Sequence, residues 1–274
     1  MLMRYPLAGV ILCVVCIVFS VRITIAAECQ QRDNFSDWLE HFRQEATGQG
    51  ISQQTIVSAL NGITYDPAII THDHSQNVFR QSFEQFSGRM VSSDRLRKGA
   101  NMLKRYGSIL GRMEDRYGAP GEVLVAIWGL ESDYGVNQGK YSTLRSLATL
   151  AYDCRRSEKF RAELLDALRI AERGDLTSNQ MIGAWAGEIG QTQFLPSAYL
   201  KFAVDFEGYG RRDLIHSALN ALASTANYLK SYGWTAGNPW TEGAANFAVL
   251  EKWNESEVYA KTVAYFATRL AKEP

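Results

Sequence analysis

Glu122 to Ser132 reads EVLVAIWGLES, and this stretch decides the class of fold. From Val123 to Leu130 no charged side chain interrupts it. A helix that is apolar all round is buried on every face. The rest of the chain must therefore supply enough helices to enclose this one. Glu131 ends the run, one helical turn beyond Ile127 and two beyond Val123. Ser132, Asp133, Tyr134 and Gly135 then break the pattern. A carboxylic acid at the end of a buried helix is desolvated, which favours its neutral form and raises its pKa. A general acid needs that state near neutral pH. Position alone leaves two other readings of Glu131: an exposed residue at a helix C-terminus, or one paired with an arginine.

Working outward, the flanking sequence is helical almost throughout. Phe35, Trp38, Leu39 and Phe42 recur at i, i+3, i+4, i+7, with Asp33 and Asn34 placed to cap them. Phe79, Phe83, Phe86 and Met90 make a second stripe. Leu96, Ala100, Leu103, Leu110, Met113 and Tyr117 make a longer third. It stops at Gly118, and Pro120 opens the next helix, where its missing N–H costs nothing. Phe160, Leu164, Leu168 and Ala171 are closed by Gly174; Leu219, Leu222, Ala226 and Leu229 run from Ser217 to Gly233. Tyr259, Val263, Phe266 and Leu270 finish the chain. No segment shows sustained strand-type alternation, and Gly233 to Gly243 is the clearest loop. The expected class is mainly α.

The chain has 274 residues, 46% of them hydrophobic and 21% charged, enough to bury a core without staples. Residues 1–27 read as a signal peptide: Arg4 precedes an apolar run from Leu7 to Val21, and small residues follow near Ala26 and Ala27. The run falls short of the ~20 residues of a spanning helix, so no stable membrane anchor is expected after cleavage; an uncleaved anchor is the other reading. Loss of Arg4 and Arg22 from 29 basic residues leaves 27 against 29 acidic ones, a net of −2. No basic excess points to nucleic acid. In an oxidising compartment Cys29 and Cys154 are either disulfide-bonded to each other or two separate buried thiols.

A second stretch, Gly183 to Tyr199, reads GAWAGEIGQTQFLPSAY. Three glycines within eight residues allow a backbone to approach a ligand closely. Amides beside aromatic rings (Gln191, Gln193, Trp185, Phe194) suit sugars, which offer hydroxyls and C–H faces. A tight packing motif without a ligand fits the same pattern equally well.

Taken together, these stretches resemble the lytic murein transglycosylase B family. The resemblance runs through YGAPGEVLVAIWGLESDYG, SLATLAYDCRRSEKF, WAGEIGQTQFLPSAY, AVDFEGYGRRD and ALASTANYLKSYGW to NFAVLEKWNESEVYAKTV. It implies a lysozyme-like helical core over residues 111–243. A helical domain over 28–110 would be completed by 244–274. The small β-domain that many members insert between the YGW motif and the NF segment is expected to be absent. The implied activity is cleavage of the β-1,4 bond between N-acetylmuramic acid and N-acetylglucosamine in peptidoglycan. The product closes a 1,6-anhydro ring, and Glu131 serves as the single acid and base. No cofactor is implied. The expected setting is the periplasm, with a monomer acting on glycan strands.

The resemblance assigns other roles one residue at a time. Gln193, Phe194 and Trp185 would contact saccharide, and Tyr228 would lie beside Glu131. Arg155 and Arg156 would meet carboxylates of the peptide or lactyl groups; a solvated helix start is an equally good reading of that pair. Asn246, Trp253 and Asn254 would line the cleft. Ala184 and Phe86 stand where a serine and a tyrosine are usual, and Glu188 stands where a small residue is usual.

Two apparent metal motifs are weak. Asp205 to His216 resembles a calcium loop, but Tyr209 and His216 occupy two of its ligand places. His72-Asp73-His74 lacks further ligands in sequence. Two other functions fit parts of the pattern: a water-using muramidase, with Glu188 as second carboxylate, and a non-catalytic murein-binding scaffold.

Overall fold

A computed structural model describes residues 34–75 and 81–272. The signal segment, Cys29 and Phe79 lie outside the described residues. Helices account for nearly all of the regular structure: α1 Phe35–Gly48, α2 Gln53–Leu60, α3 Pro67–His74, α4 Phe83–Met90, α5 Ser93–Tyr117, α6 Gly121–Ser132, α7 Thr143–Tyr152, α8 Ser157–Glu172, α9 Pro196–Phe202, α10 Ala218–Ser231, α11 Ala245–Trp253 and α12 Glu257–Leu270. One antiparallel pair, β1 Tyr141–Ser142 and β2 Ile182–Gly183, aligns Tyr141 with Gly183. Residues 235–244, where the family's β-domain would be inserted, form turns.

The ends of the helices follow their capping residues. Side chains of Asn34, Ser52, Ser92 and Ser217 each accept a backbone N–H at a helix start. Gly118, with φ +82°, ends α5 in the left-handed conformation that a side chain would resist.

Two apolar clusters hold these residues together. One joins α1–α3 to α7–α9 around Phe42, Phe160, Leu168 and Tyr199. The other joins α5, α6 and α10–α12 around Met113, Ile127, Leu222 and Phe266. The C-terminal end packs with only part of the N-terminal half. α4 and α5 meet α12. The stripe of α1 instead turns toward α7, where Trp38 and Phe35 pack edge-on to Tyr152.

α6 lies at the centre of the second cluster, between α5 and α12. Every residue from Val123 to Leu130 is buried, as its apolar circumference requires. Gly129 lets the Tyr134 ring lie against the helix: a Cβ there would meet the ring at 2.9 Å. The Tyr134 ring also packs edge-on to Trp128, and its hydroxyl donates to Arg95 O of α5.

Candidate active site

α6 stops abruptly just after Glu131. Asp133, Tyr134 and Gly135 take φ values of +50°, +63° and +85°, a sequence of left-handed residues that a non-glycine chain adopts only when held there. Arg95 Nε (3.3 Å) and Lys98 Nζ (3.0 Å) of α5 hold the Asp133 carboxylate. Burial pushes the Asp133 pKa up, but these two cations outweigh it and leave the acid below its usual range. Ser132 Oγ donates to Gln191 O, tying the same turn to the Gly183–Tyr199 stretch. Glu131 is thereby fixed at the mouth of a cleft.

Its surroundings are apolar and directional. Burial raises the Glu131 pKa to about 7, against the opposing effect of two donors; the charge of Glu188 adds to the rise. The donors are Tyr259 Oη at 2.5 Å and Trp253 Nε1 at 3.0 Å, and both reach Oε1. Among the described residues Oε2 has no hydrogen-bond donor, so the proton of the neutral acid belongs on Oε2. Burial, then the neighbouring Glu131, holds the Tyr259 hydroxyl well above its ordinary pKa, so it stays a donor.

The cleft has a volume of about 430 Å³ and is lined by Glu131, Glu188, Gln193, Tyr228, Trp253 and Asn254, with Ala184 and Phe194 among its other walls. Six of the sequence-assigned residues are thus brought together. Gln193, at φ +54°, donates both amide hydrogens internally, to Gln138 O and Gly190 O. Its carbonyl oxygen alone is left for a ligand. Phe194 is 2% exposed and backs the cleft, packing edge-on to Trp253 (5.4 Å). Tyr228 does not bond Glu131. Its hydroxyl donates to Lys252 O, and its ring stands edge-on to Trp253. The tyrosine that touches Glu131 is Tyr259, which the sequence pattern presents as one more core position.

Four assigned residues do not line this cleft. Asn246 is fully buried: it accepts from Thr235 N–H and donates to the carbonyls of Thr235 and Asn238, each at 2.9 Å. It staples the 235–244 turns and has no donor left for a sugar. Arg155 and Arg156 close on Asp73, which is 1% exposed. Arg155 donates to both Asp73 oxygens at 2.6 Å, and Arg156 Nη2 donates to Oδ1. Burial raises the Asp73 pKa, but the two guanidiniums outweigh it and hold the acid below its usual range. Trp185 stacks on His72 (6.0 Å), whose Nε2 is 2.9 Å from Tyr141 Oη.

The glycines of the second stretch serve the protein's own packing. A Cβ on Gly190 would come within 2.4 Å of Leu214 O, and one on Gly183 would strike Glu188 O. Gln191 is likewise structural, bonding Trp128 Nε1 and Ile215 O. The carboxylates of the calcium-like loop close the loop itself. Asp205 accepts N–H from Gly208, Tyr209 and Gly210, and Asp213 accepts from Ile215 and His216. Asp73, His74 and Asp153 bring ligand-type atoms within 4.8 Å of one another, but both Asp73 oxygens already hold guanidiniums. Cys154 is disulfide-bonded. No helix among the described residues is long and apolar enough to cross a membrane.

A helical enclosure around a buried carboxyl of raised pKa, with an aromatic wall and amide groups beside it, defines the lysozyme-like class of fold. The chain belongs to the Transglycosylase SLT domain family, whose profile matches residues 34–245. It is 35% identical over 155 residues to the membrane-bound lytic murein transglycosylase B of Escherichia coli K12. That alignment covers 56% of this chain and spans 43% of the relative's length. The fold is similar to SltB3 from Pseudomonas aeruginosa, solved in complex with NAG-anhNAM-pentapeptide. The TM-score is 0.83 at 35% identity, covering 87% of this chain and 80% of that one. It also matches the fold of the Escherichia coli lytic transglycosylase Slt35, solved with bulgecin A, at TM-score 0.76 and 24% identity, covering 85% and 92%.

Proposed function

We propose that this chain is a peptidoglycan lytic transglycosylase that cuts the β-1,4 bond between N-acetylmuramic acid and N-acetylglucosamine with Glu131 as its one acid and base. The observation that carries the reading is Glu131 itself. Its pKa is raised to about 7 in a sugar-sized cleft, with both protein donors on one oxygen and the other oxygen open. Oε2–H donates to the glycosidic oxygen as the C–O bond breaks. The resulting carboxylate is met at Oε1 by the Tyr259 hydroxyl and the Trp253 N–H. It then takes the proton of the C6 hydroxyl as that oxygen bonds to C1. The proton given is recovered, no water enters, and a 1,6-anhydro ring closes. Trp253 and Tyr228 offer aromatic surface to sugar faces, and the Gln193 carbonyl accepts a sugar hydroxyl or amide. SltB3, at 35% identity, is solved with a product-like NAG-anhNAM ligand, which supports the assignment. Secretion to the periplasm through residues 1–27 and action as a monomer belong to the same reading.

Glu188 favours one rival. It is a second carboxyl in the cleft, with Oε2 accepting the Ala186 N–H at 3.1 Å. As a base it would activate water and give a muramidase. Mass spectrometry of fragments released from purified sacculi by the mature protein separates the readings. Ends in 1,6-anhydro-muramic acid are expected. Reducing ends, heavier by one water, would assign hydrolysis and Glu188. Binding without release would assign a scaffold.

A further inference from the structure

The cleft around Glu131 opens into a larger cavity of about 810 Å³. The two share Leu195, Ala198, Tyr228, Trp253 and Asn254, so they form one continuous groove. The lining changes along it. Two carboxyls, Glu131 and Glu188, mark the cutting end. The larger end is lined by Lys159, Lys201 and Lys252, with Glu255 as its one acid.

These lysines come from α8, α9 and α11 and converge on one space. Among the described residues the lysines in ion pairs are Lys98 and Lys261. Among the described residues Lys159, Lys201 and Lys252 have no carboxylate within ion-pair distance, although the rise that burial gives the Glu188 pKa is opposed by nearby Lys159, and all three are exposed. Lys201 Nζ sits over the rings of Phe202 (4.8 Å) and Tyr232 (5.6 Å), which restrains its position. Meanwhile the arginine pair that the family resemblance assigns to carboxylates is closed on buried Asp73.

We propose that Lys159, Lys201 and Lys252 form a carboxylate subsite, joined to the catalytic cleft, that holds the acidic groups carried by muramic acid. This rests on the glycan-cleaving reading above. The glycan backbone is uncharged; its carboxylates are the lactyl carboxylate of a peptide-free muramic acid or, where that group is amide-bonded to a stem, the acids of the peptide. The lysines attract such groups to the larger end of the groove. Ammonium groups on long stems are compact point charges, suited to acids on a mobile peptide rather than to one fixed bidentate geometry. Exposed pairs of this kind are individually weak and are screened by salt.

The test is the triple variant Lys159→Gln/Lys201→Gln/Lys252→Gln, with the triple Lys→Arg variant as rescue. On stem-bearing glycan strands at low salt the Gln variant should raise KM about tenfold and hold kcat within twofold. The difference should shrink near 1 M salt, where the screening length is about 3 Å. The Arg variant should restore KM. Binding of neutral N-acetylglucosamine oligomers should not change. A rise in KM on both strands shows that the lysines take the free lactyl carboxylate of one and the peptide acids of the other, and a rise confined to stem-bearing strands assigns the peptide acids alone. KM within twofold of wild type on both strands overturns the proposal, and so does an equal loss of binding to neutral oligomers. The same comparison by equilibrium binding of stem-bearing fragments needs no turnover. If wild type cuts nothing, a tenfold binding loss in the Gln variant keeps the subsite while the transglycosylase reading falls. Absence of fragment binding by wild type overturns both.

Discussion

Trp253 and Tyr259 both donate to Oε1 of Glu131, and that asymmetry sets what the residue can do. Tyr259→Phe removes one donor from the carboxylate form, so the Glu131 pKa should rise and the alkaline limb of kcat/KM should move to higher pH. kcat should fall by ~10²-fold, the scale of losing one donor to a developing anion. A pH–rate profile of the variant reads both. For the wild type, activity needs the protonated acid, so kcat/KM should be level in mild acid and fall through about pH 7. Stability carries the same sign. The folded pKa lies above the ordinary 4.5, so this group's contribution is full below 4.5 and lost as pH rises through about 7. Glu131→Gln should abolish cleavage and flatten that part of the stability–pH curve, measured by thermal unfolding. Glu131 was legible in the sequence because an uninterrupted apolar run ends on it. Its donors were not, because they lie 122 and 128 residues further on. Tyr259 also shares its spacing with the core residues Val263, Phe266 and Leu270. The pairing of Arg155 and Arg156 with Asp73 was not legible for the same reason: Asp73 is more than 80 residues away.

α6 shows how an element with no exposed face presents a reactive group. The solution lies in its last turn, where Tyr134 folds back under Gly129 and Asp133 is gripped from α5. Gly129→Ala adds a methyl 2.9 Å from the Tyr134 ring. The ring must move, at a cost of about 1–3 kcal/mol of stability. Because Glu131 sits two residues beyond, kcat should fall as well. Denaturant unfolding beside a cleavage assay checks both, and a variant that keeps wild-type stability would show that the ring is not wedged there. The helices themselves were legible from their 3.6-residue stripes and from caps such as Ser217 and Gly118, which are local signals. The turn after Glu131 was legible only as a break in the pattern, since its left-handed residues are held by α5 rather than by their own preferences.

Across the whole molecule, two apolar clusters meet along the groove, and Tyr228 and Trp253 pack against both. Phe266 of α12 is fully buried in the cluster that contains α6. Phe266→Ala should cost about 3–5 kcal/mol, seen as a lower denaturant midpoint with unchanged slope. The sequence marked α1, α4, α5, α6, α8, α10 and α12 as amphipathic or buried, and showed no stripe for α2, α3, α7, α9 or α11. It held no sign of which stripe faces which, because any two apolar stripes satisfy the same pattern. The packing of α1–α3 against α7 and α8, instead of against the C-terminal helices, therefore had to come from the three-dimensional structure.

The distance in sequence between Glu131 and its donors also bears on timing. A chain is made from its N-terminus, so the acid emerges long before the two helices that complete it. Until α11 and α12 dock, Glu131 has neither the indole nor the phenol on its oxygen, and the groove lacks one wall. If the proposed reading holds, a chain that cuts peptidoglycan would lack its complete site until its last two helices have been made.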